Sequence, residues 1–343
     1  MWWLFALVIG LFVNPQWSRL HSALWRSASG DGVPVTLDEA LVWSSWGPLN
    51  PLVQWVSPAG PRSDVVVTAD DFAFRDLLTG DVADWSRCPA IIFATNTFDA
   101  AIYGRWTSMG WEADSATSTT DGAVLKSWQR YAILHGYCLL ELHTTRPREI
   151  IDQGVHPYFY RYVGLSLLSE VDVPLIYVDT DVVITSPTQS LTSLLAGLSA
   201  DMLLAADRRS EPFPKKPGVN AGVQVHRGGA YCRALAHRVL YQGRRVLPQL
   251  LSSLFFNGVM EQPMLNLLLA VDYDLHMPDL LGEGPVLVRS QSEGLPRLVV
   301  VTQDVFNTFP EKHTPEHFML HAAGVSPAEK RQQLLSTAAE IQS

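Results

Sequence analysis

A chain of 343 residues with 47% hydrophobic content has the material for one large α/β domain or two smaller ones, and no long stretch has a disordered composition. Its formal net charge of −9 excludes a nucleic-acid binder, whose surface must be basic to displace counterions; Lys215-Lys216 and Arg244-Arg245 are short and isolated. Cys88, Cys138 and Cys232 are too few and too far apart for a structural zinc site or a disulfide scaffold, and Cys138, in the apolar run Cys138-Leu139-Leu140, reads as a buried free thiol.

Trp2 to Val13 is an unbroken apolar run ended by Asn14-Pro15. A helix of that length reaches about 18 Å, short of the roughly 30 Å hydrocarbon core, so residues 1–13 read as a signal peptide or short signal anchor. Arg19 and Arg26 follow the run while no basic residue precedes it, which weakens the charge argument for a luminal body, and the chain carries no Asn-x-Ser/Thr sequon. Residues 14–62, rich in Trp, Ser, Gly and Pro, read as a stem with a helix near Leu37 to Trp43; one domain is expected over 63–335, with 336–343 as a tail.

Within that domain, strands are expected at Asp64–Thr68 and Pro89–Ala94, the second closing on Thr95-Asn96-Thr97. A helix over Gly122–Leu134 ends at His135-Gly136, where glycine stops the helix and Tyr137 opens a strand to Leu142, ordinary capping chemistry. A helix over Pro157–Glu170 leads into the apolar strand Leu175–Val178. Further strands are expected at Asp201–Ala206, Val219–His226, Leu298–Thr302 and His317–His321, and helices at Gly229–Tyr241 and Met260–Ala270. Alternating strands and helices build a parallel sheet covered by helices, whose ligands collect at the carboxyl ends of the strands, where Thr95, Asn96, Asp179 and Asp181 fall.

The acidic pair is the most informative feature. Asp179 and Asp181 sit where an apolar strand ends, and Val182 to Ile184 resumes the apolar pattern at once. Alternate residues of a strand share a face, so both carboxylates can project toward one point, and two such charges repel unless a cation lies between them. A divalent metal carrying a phosphate-bearing substrate satisfies both conditions, against the bland alternative of a solvated turn.

Several segments in order carry a family resemblance: Ala94-Thr95-Asn96, Arg130 to Tyr137, Tyr158 to Arg161, the acidic pair, Gly218 to Val223, Glu261 to Asn266, Phe306-Asn307 and His321 to Gly324. Over roughly residues 88–330 the chain resembles GT-A-type glycosyltransferases of the yeast galactosyl- and mannosyltransferase and plant xyloglucan xylosyltransferase kind, and more weakly the glycogenin group. The resemblance implies an α/β fold, a Rossmann-like mixed sheet with helices on both faces. It also implies a retaining enzyme that moves a hexose or pentose from a sugar nucleotide to a glycan or glycoconjugate. Residence in the Golgi membrane follows, single-pass and type II, anchored through the N-terminus, the alternative being a secreted protein or one of the ER lumen.

Residue by residue, the resemblance implies that Asp179, Asp181 and His321 hold Mn²⁺, which bridges the donor diphosphate; mixed carboxylate and imidazole ligation suits that ion better than Mg²⁺ or Ca²⁺. Asn220-Ala221-Gly222 looks like the family's segment of small residues that lets the donor sugar approach the backbone, the alternative being a bulge in a core strand. Thr95 and Asn96 match the turn against base and ribose, or are a plain strand-to-loop turn. Arg161 stands where the family often contacts phosphate, or is a solvated surface residue. Glu261-Gln262 opens a helix whose apolar face is Met264, Leu265 and Leu268, which turns the polar pair toward the cleft; Gln262 would stabilise positive charge on the sugar, with Glu261 the runner-up as nucleophile, or simply a favourable charge at a helix start. The chain departs from the pattern at Val325, where the family often has cysteine, and around Lys330. Two other readings of the pair are a haloacid-dehalogenase-like phosphatase with Asp179 as nucleophile, and a catalytically silent sugar-nucleotide binder.

Overall fold

The computed structural model describes residues 68–80, 85, 87–95, 123–144, 159–207, 218–245, 261–275, 284–290, 295–309, 313, 314, 316–321 and 336. The expected anchor, the stem helix, the first four residues of the Asp64–Thr68 strand, Asn96 and the departures at Val325 and Lys330 lie outside them; Thr68 itself is not in a strand. In chain order the elements are β1 (Phe72–Asp76), β2 (Ile91–Thr95), α1 (Ala123–His135), β3 (Cys138–Thr144), α2 (Tyr160–Leu168), β4 (Leu175–Val178), β5 (Val182–Ile184), α3 (Leu191–Gly197), β6 (Met202–Asp207), β7 (Gly218–His226), α4 (Gly229–Arg245), α5 (Glu261–Tyr273), β8 (Val286–Ser290), β9 (Leu298–Val301) and β10 (Met319–His321). No described helix is long and apolar enough to cross a membrane.

An eight-stranded sheet runs β1-β3-β2-β4-β7-β6-β9-β8. β2 is parallel to β3 and β4, β6 is parallel to β9, and β7 opposes both its neighbours β4 and β6. Hence β3, β2, β4, β6 and β9 all point one way, and their carboxyl ends bring Thr95, Asp179 and Asp207 to a common rim. The sheet is mixed, not wholly parallel, because β7 and the edge strands β1 and β8 run against it.

The strands alternate between two apolar layers. Ile91, Phe93, Leu175 and Tyr177 pack with α2, α4 and α5, while Ile92, Ala94, Ile176 and Val178 pack with α1, α3 and the second, two-stranded sheet of β5 and β10. Apolar runs with no polar alternation, such as Ile91 to Ala94, are what a sheet covered on both faces requires. Gly164 of α2 lies so close to β2 that an added Cβ would meet the Phe93 ring at 2.4 Å.

The His135-Gly136-Tyr137 turn closes α1 with paired bonds: the Tyr137 amide donates to Ala132 and the Gly136 amide to Ile133, with Gly136 at φ +68. This is the Schellman geometry, and it needs a residue tolerant of the left-handed region.

The reading of Cys138 as a free thiol is corrected: Cys88 and Cys138 form a disulfide with Cα atoms 5.7 Å apart. The parallel register that pairs Ile91 with Cys138 carries the two together, a proximity their sequence separation of 50 conceals. Cys232 is the buried free thiol, its pKa pushed up to about 12 by burial. Strands β1 and β8 and helix α3 were not expected; all are short, and β1 has Arg75 and Asp76 within its span.

His226, near the end of β7, is buried, and burial lowers its pKa to about 4. An unfolded imidazole takes up its proton near ~6.5, so below that value the unfolded chain binds more protons than the folded one until about pH 4. Stability should therefore fall as pH drops through this window, by about 3 kcal/mol at its lower end. Thermal unfolding of the His226→Gln variant should show a correspondingly shallower loss between pH 6.5 and 4. An unchanged slope would refute this assignment.

Candidate metal centre

The site begins where β4 stops. The Asp179 amide extends the ladder by donating to the Gly222 carbonyl at 2.7 Å, and the Val182 amide then folds back onto the Asp179 carbonyl at 3.1 Å. Asp179 and Asp181 are thus brought together by a tight turn between β4 and β5, not by the alternation of one extended strand.

The third member arrives through strand pairing. β10 lies antiparallel to β5, with His321 opposite Val182, the residue that follows Asp181. A slip of one residue would turn His321 to the other face of this small sheet. In register, its Nε2 lies 3.3 Å from Asp181 Oδ1 and 3.8 Å from Asp179 Oδ2, and one ligand atom from each of the three residues falls within 4.8 Å of the others. His321 is buried and packs against Phe309, and its Nδ1 has no hydrogen-bond partner among the described residues.

Against this cluster lies a bulge in β7. Leu204 of β6 pairs with Gln224 but Ala205 pairs with Asn220, which leaves Ala221, Gly222 and Val223 without partners on β6. Buried backbone groups released from a ladder must be satisfied elsewhere, and here side chains satisfy them. The Ala221 amide donates to Gln262 Oε1 at 3.0 Å, and the Ala221 carbonyl accepts from Arg161 at 2.5 Å and from Gln224 at 3.1 Å. The Gly222 amide donates to Asn220 Oδ1 at 2.7 Å, an oxygen that also accepts from Asn307 at 2.7 Å. Gly222 itself is confined: a Cβ there would stand 2.3 Å from His321 Cε1 and 2.8 Å from Asp179 Oδ2. Of the two readings the sequence offered for Asn220-Ala221-Gly222, the bulge is present, and the atoms that crowd Gly222 are those of His321, Asp179 and Asn220.

Arg161 is not a solvated surface residue. It is buried on α2, pairs with Asp179 Oδ1 at 3.0 Å and lies 4.5 Å from the centre of the Tyr177 ring. Tyr177 also donates to Asp179 Oδ1, at 2.5 Å. Burial pushes the Tyr177 phenol well above its ordinary pKa, so it remains a donor. Burial also raises the Asp179 carboxyl; Arg161 opposes the shift and the charge of Asp181 adds to it.

The remaining candidates are placed unevenly. Gln262 has both ends of its amide engaged, since Nε2 donates to Asp207 Oδ2 at 2.8 Å while Oε1 accepts from Ala221. Four residues on, Asn266 bonds both backbone groups of Val219, so one face of α5 substitutes for the strand that β7 lacks there. The backbone of Glu261 starts α5; its side chain lies outside the described residues. Tyr177, Asp207 and Gln224 were not read from the sequence as site residues, and Asn307 entered only within the segment Phe306-Asn307, with no role of its own. Tyr177 carried a usable signal, because it precedes Asp179 by two positions on the same strand face. Asp207 carried none beyond its residue type.

The donor set and its spacing fit a divalent cation. Neighbouring ligands of an octahedral ion held at about 2.1 Å lie roughly 3 Å apart, close to the 3.3 Å and 3.8 Å separations around His321 Nε2. Gly222 keeps clear the space beside them that a side chain would fill.

No family model and no curated protein matches the chain. Among solved structures, a glycosyltransferase involved in the glycosylation of the major capsid of PBCV-1 matches 71% of this chain and 98% of its own, at 14% identity and a TM-score of 0.43. At that score the likeness is loose, and the chemistry has to be read from the site's own geometry.

Proposed function

We propose that the chain is a metal-dependent, retaining glycosyltransferase that moves a hexose or pentose from a sugar nucleotide to a glycan or glycoconjugate acceptor. The observation that carries this reading is the meeting of Asp179 and Asp181 with His321, from the far end of the domain, beside a strand bulge kept free of side chain at Gly222. Asp179, Asp181 and His321 would hold the ion, for which Mn²⁺ suits the mixed oxygen and nitrogen donors. The bound ion would supply positive charge for the diphosphate of the donor as it leaves.

The chain's own residues do the rest. Arg161, committed to Asp179 and to the Ala221 carbonyl, fixes a ligand and the bulge together. Gln262 presents a carbonyl oxygen whose direction is set by Ala221 and Asp207, a fixed dipole suited to positive charge developing on a sugar ring. In this scheme the leaving phosphate takes the acceptor's proton, and both events occur on one face of the sugar. The phosphatase reading is disfavoured, because such a nucleophile strand normally stands near the start of its domain, whereas Asp179 follows β1 to β4.

The Cys88–Cys138 disulfide favours an oxidising compartment, which supports reading the N-terminal apolar run as a route to the Golgi lumen. Sealed microsomes carrying the full chain test place and chemistry in turn. The domain should resist added protease until detergent is present, and the opened vesicles should show Mn²⁺-dependent hydrolysis of one member of a sugar-nucleotide panel. Digestion without detergent would reject the luminal placement; generic phosphatase activity with no sugar-nucleotide turnover would reject the transferase.

A further inference from the structure

We propose that Tyr177 sets the cation preference of this centre by engaging one oxygen of Asp179 and leaving only the other for the ion. The inference rests on the metal site proposed above and concerns what kind of ion that site prefers.

The two oxygens of Asp179 live in different surroundings. Oδ1 receives the Tyr177 hydroxyl at 2.5 Å and the Arg161 guanidinium at 3.0 Å. Oδ2 faces the cluster, 3.8 Å from His321 Nε2 and beside Gly222. The phenol that makes this division is itself held fast. Its ring meets Phe93 edge to face at 5.3 Å and lies 4.5 Å from the Arg161 guanidinium carbon. A carboxylate with two donors on one oxygen has that oxygen's lone pairs occupied and offers a cation only the other oxygen.

That distinction matters because cations differ in what they ask of a carboxylate. Small divalent ions demand near-octahedral geometry and take one oxygen per carboxylate, whereas Ca²⁺ accepts six to eight oxygens and readily chelates a carboxylate through both. With its hydroxyl present, Tyr177 therefore penalises the larger ion. Without the hydroxyl, Oδ1 is released from its closest donor, Asp179 can swing to offer both oxygens, and the penalty on Ca²⁺ is relieved. A phenol that merely fastened the fold would affect stability and leave this preference unchanged.

The test uses the full chain without nucleotide. Free Mn²⁺ is followed by its electron paramagnetic resonance signal and displaced by Ca²⁺, in the wild type and in Tyr177→Phe, which keeps the ring over Arg161 and removes only the hydroxyl. The expected result is a fall of about tenfold in the preference for Mn²⁺ over Ca²⁺, the scale on which a partner of a metal ligand acts. An unchanged preference overturns the inference, whatever happens to the melting temperature, and leaves the metal site standing. If the wild type takes up neither ion, the metal site fails and the inference with it. Should Tyr177→Phe not fold, Arg161→Lys, which loosens the second donor on the same oxygen while keeping its charge, should shift the preference in the same direction by less, and no shift there overturns the inference equally.

Discussion

Gly222→Ala is expected to weaken Mn²⁺ binding by at least about a hundredfold, more than the loss of a partner to one ligand usually costs. The added methyl would stand 2.3 Å from His321 Cε1, 2.8 Å from Asp179 Oδ2 and 2.9 Å from Asn220 Oδ1. Contacts that short cannot persist, so something must move. His321 has little room, because it is buried against Phe309 and its strand is paired to β5. Asp179 is held by Tyr177, by Arg161 and through its own amide. Any relief therefore displaces a ligand. The backbone has no need of glycine there, since Gly222 does not have a positive φ, so the effect arises from space alone.

Gly136 gives the contrast. It has φ +68 and open space where a Cβ would sit, so Gly136→Ala should cost about 1 kcal/mol of stability through backbone strain and leave Mn²⁺ affinity as it was. Titration of both variants with Mn²⁺, beside their metal-free melting temperatures, separates the two kinds of glycine. Wild-type affinity in Gly222→Ala would show that the cluster does not hold the ion.

How much of this was legible in the sequence follows from the range of the interactions involved. β2 and β4 announce themselves because a strand covered on both faces must be apolar at every position, and Ile91 to Ala94 and Leu175 to Val178 are. The end of α1 is local chemistry and was readable as such from His135-Gly136-Tyr137. β1 was readable in principle, since Phe72 and Phe74 alternate with the exposed Ala73 and Arg75, but five residues ending in Arg-Asp make a faint pattern. Helix α3, capped by the Ser190 side chain, is only seven residues long.

What the sequence conceals is register. Nothing near His321 says that it pairs across from Val182, and nothing near Cys88 says that it meets Cys138. His321 entered as a candidate ligand through family resemblance, and its physical warrant appears only in the β5–β10 ladder. The bulge in β7 could be raised from Asn220-Ala221-Gly222 only as an alternative, because it is defined by where β6 resumes pairing. Gln262 illustrates the converse. Its helix and the direction of its side chain toward the site follow from the periodicity of α5, yet its bonds to Ala221 and Asp207 depend on two other strands.

Removing a ligand outright is expected to have the largest effect of all. Asp181→Asn and His321→Ala should each abolish Mn²⁺-dependent binding of UDP and of GDP, because each takes away one of the three donors that meet in the cluster. Their effects on the metal-free protein should differ, and the difference is diagnostic. Asp181 places a like charge beside Asp179 and helps raise its carboxyl pKa, so asparagine there relieves repulsion as it removes a ligand, and the melting temperature in chelator should hold or rise slightly. His321→Ala instead leaves a void under Phe309 and takes from Asp179 an interaction that favours its charged form, so it should cost about 2 kcal/mol on the scale of buried truncations while the chain still folds. Calorimetric titration of each nucleotide, with and without Mn²⁺, decides the first point, and thermal unfolding in chelator the second. Tight Mn²⁺-dependent nucleotide binding by either variant would mean that the ion, if there is one, lies elsewhere. A metal-free Asp181→Asn protein markedly less stable than the wild type would mean that the acidic pair is a structural fastening and not a site held ready for a cation.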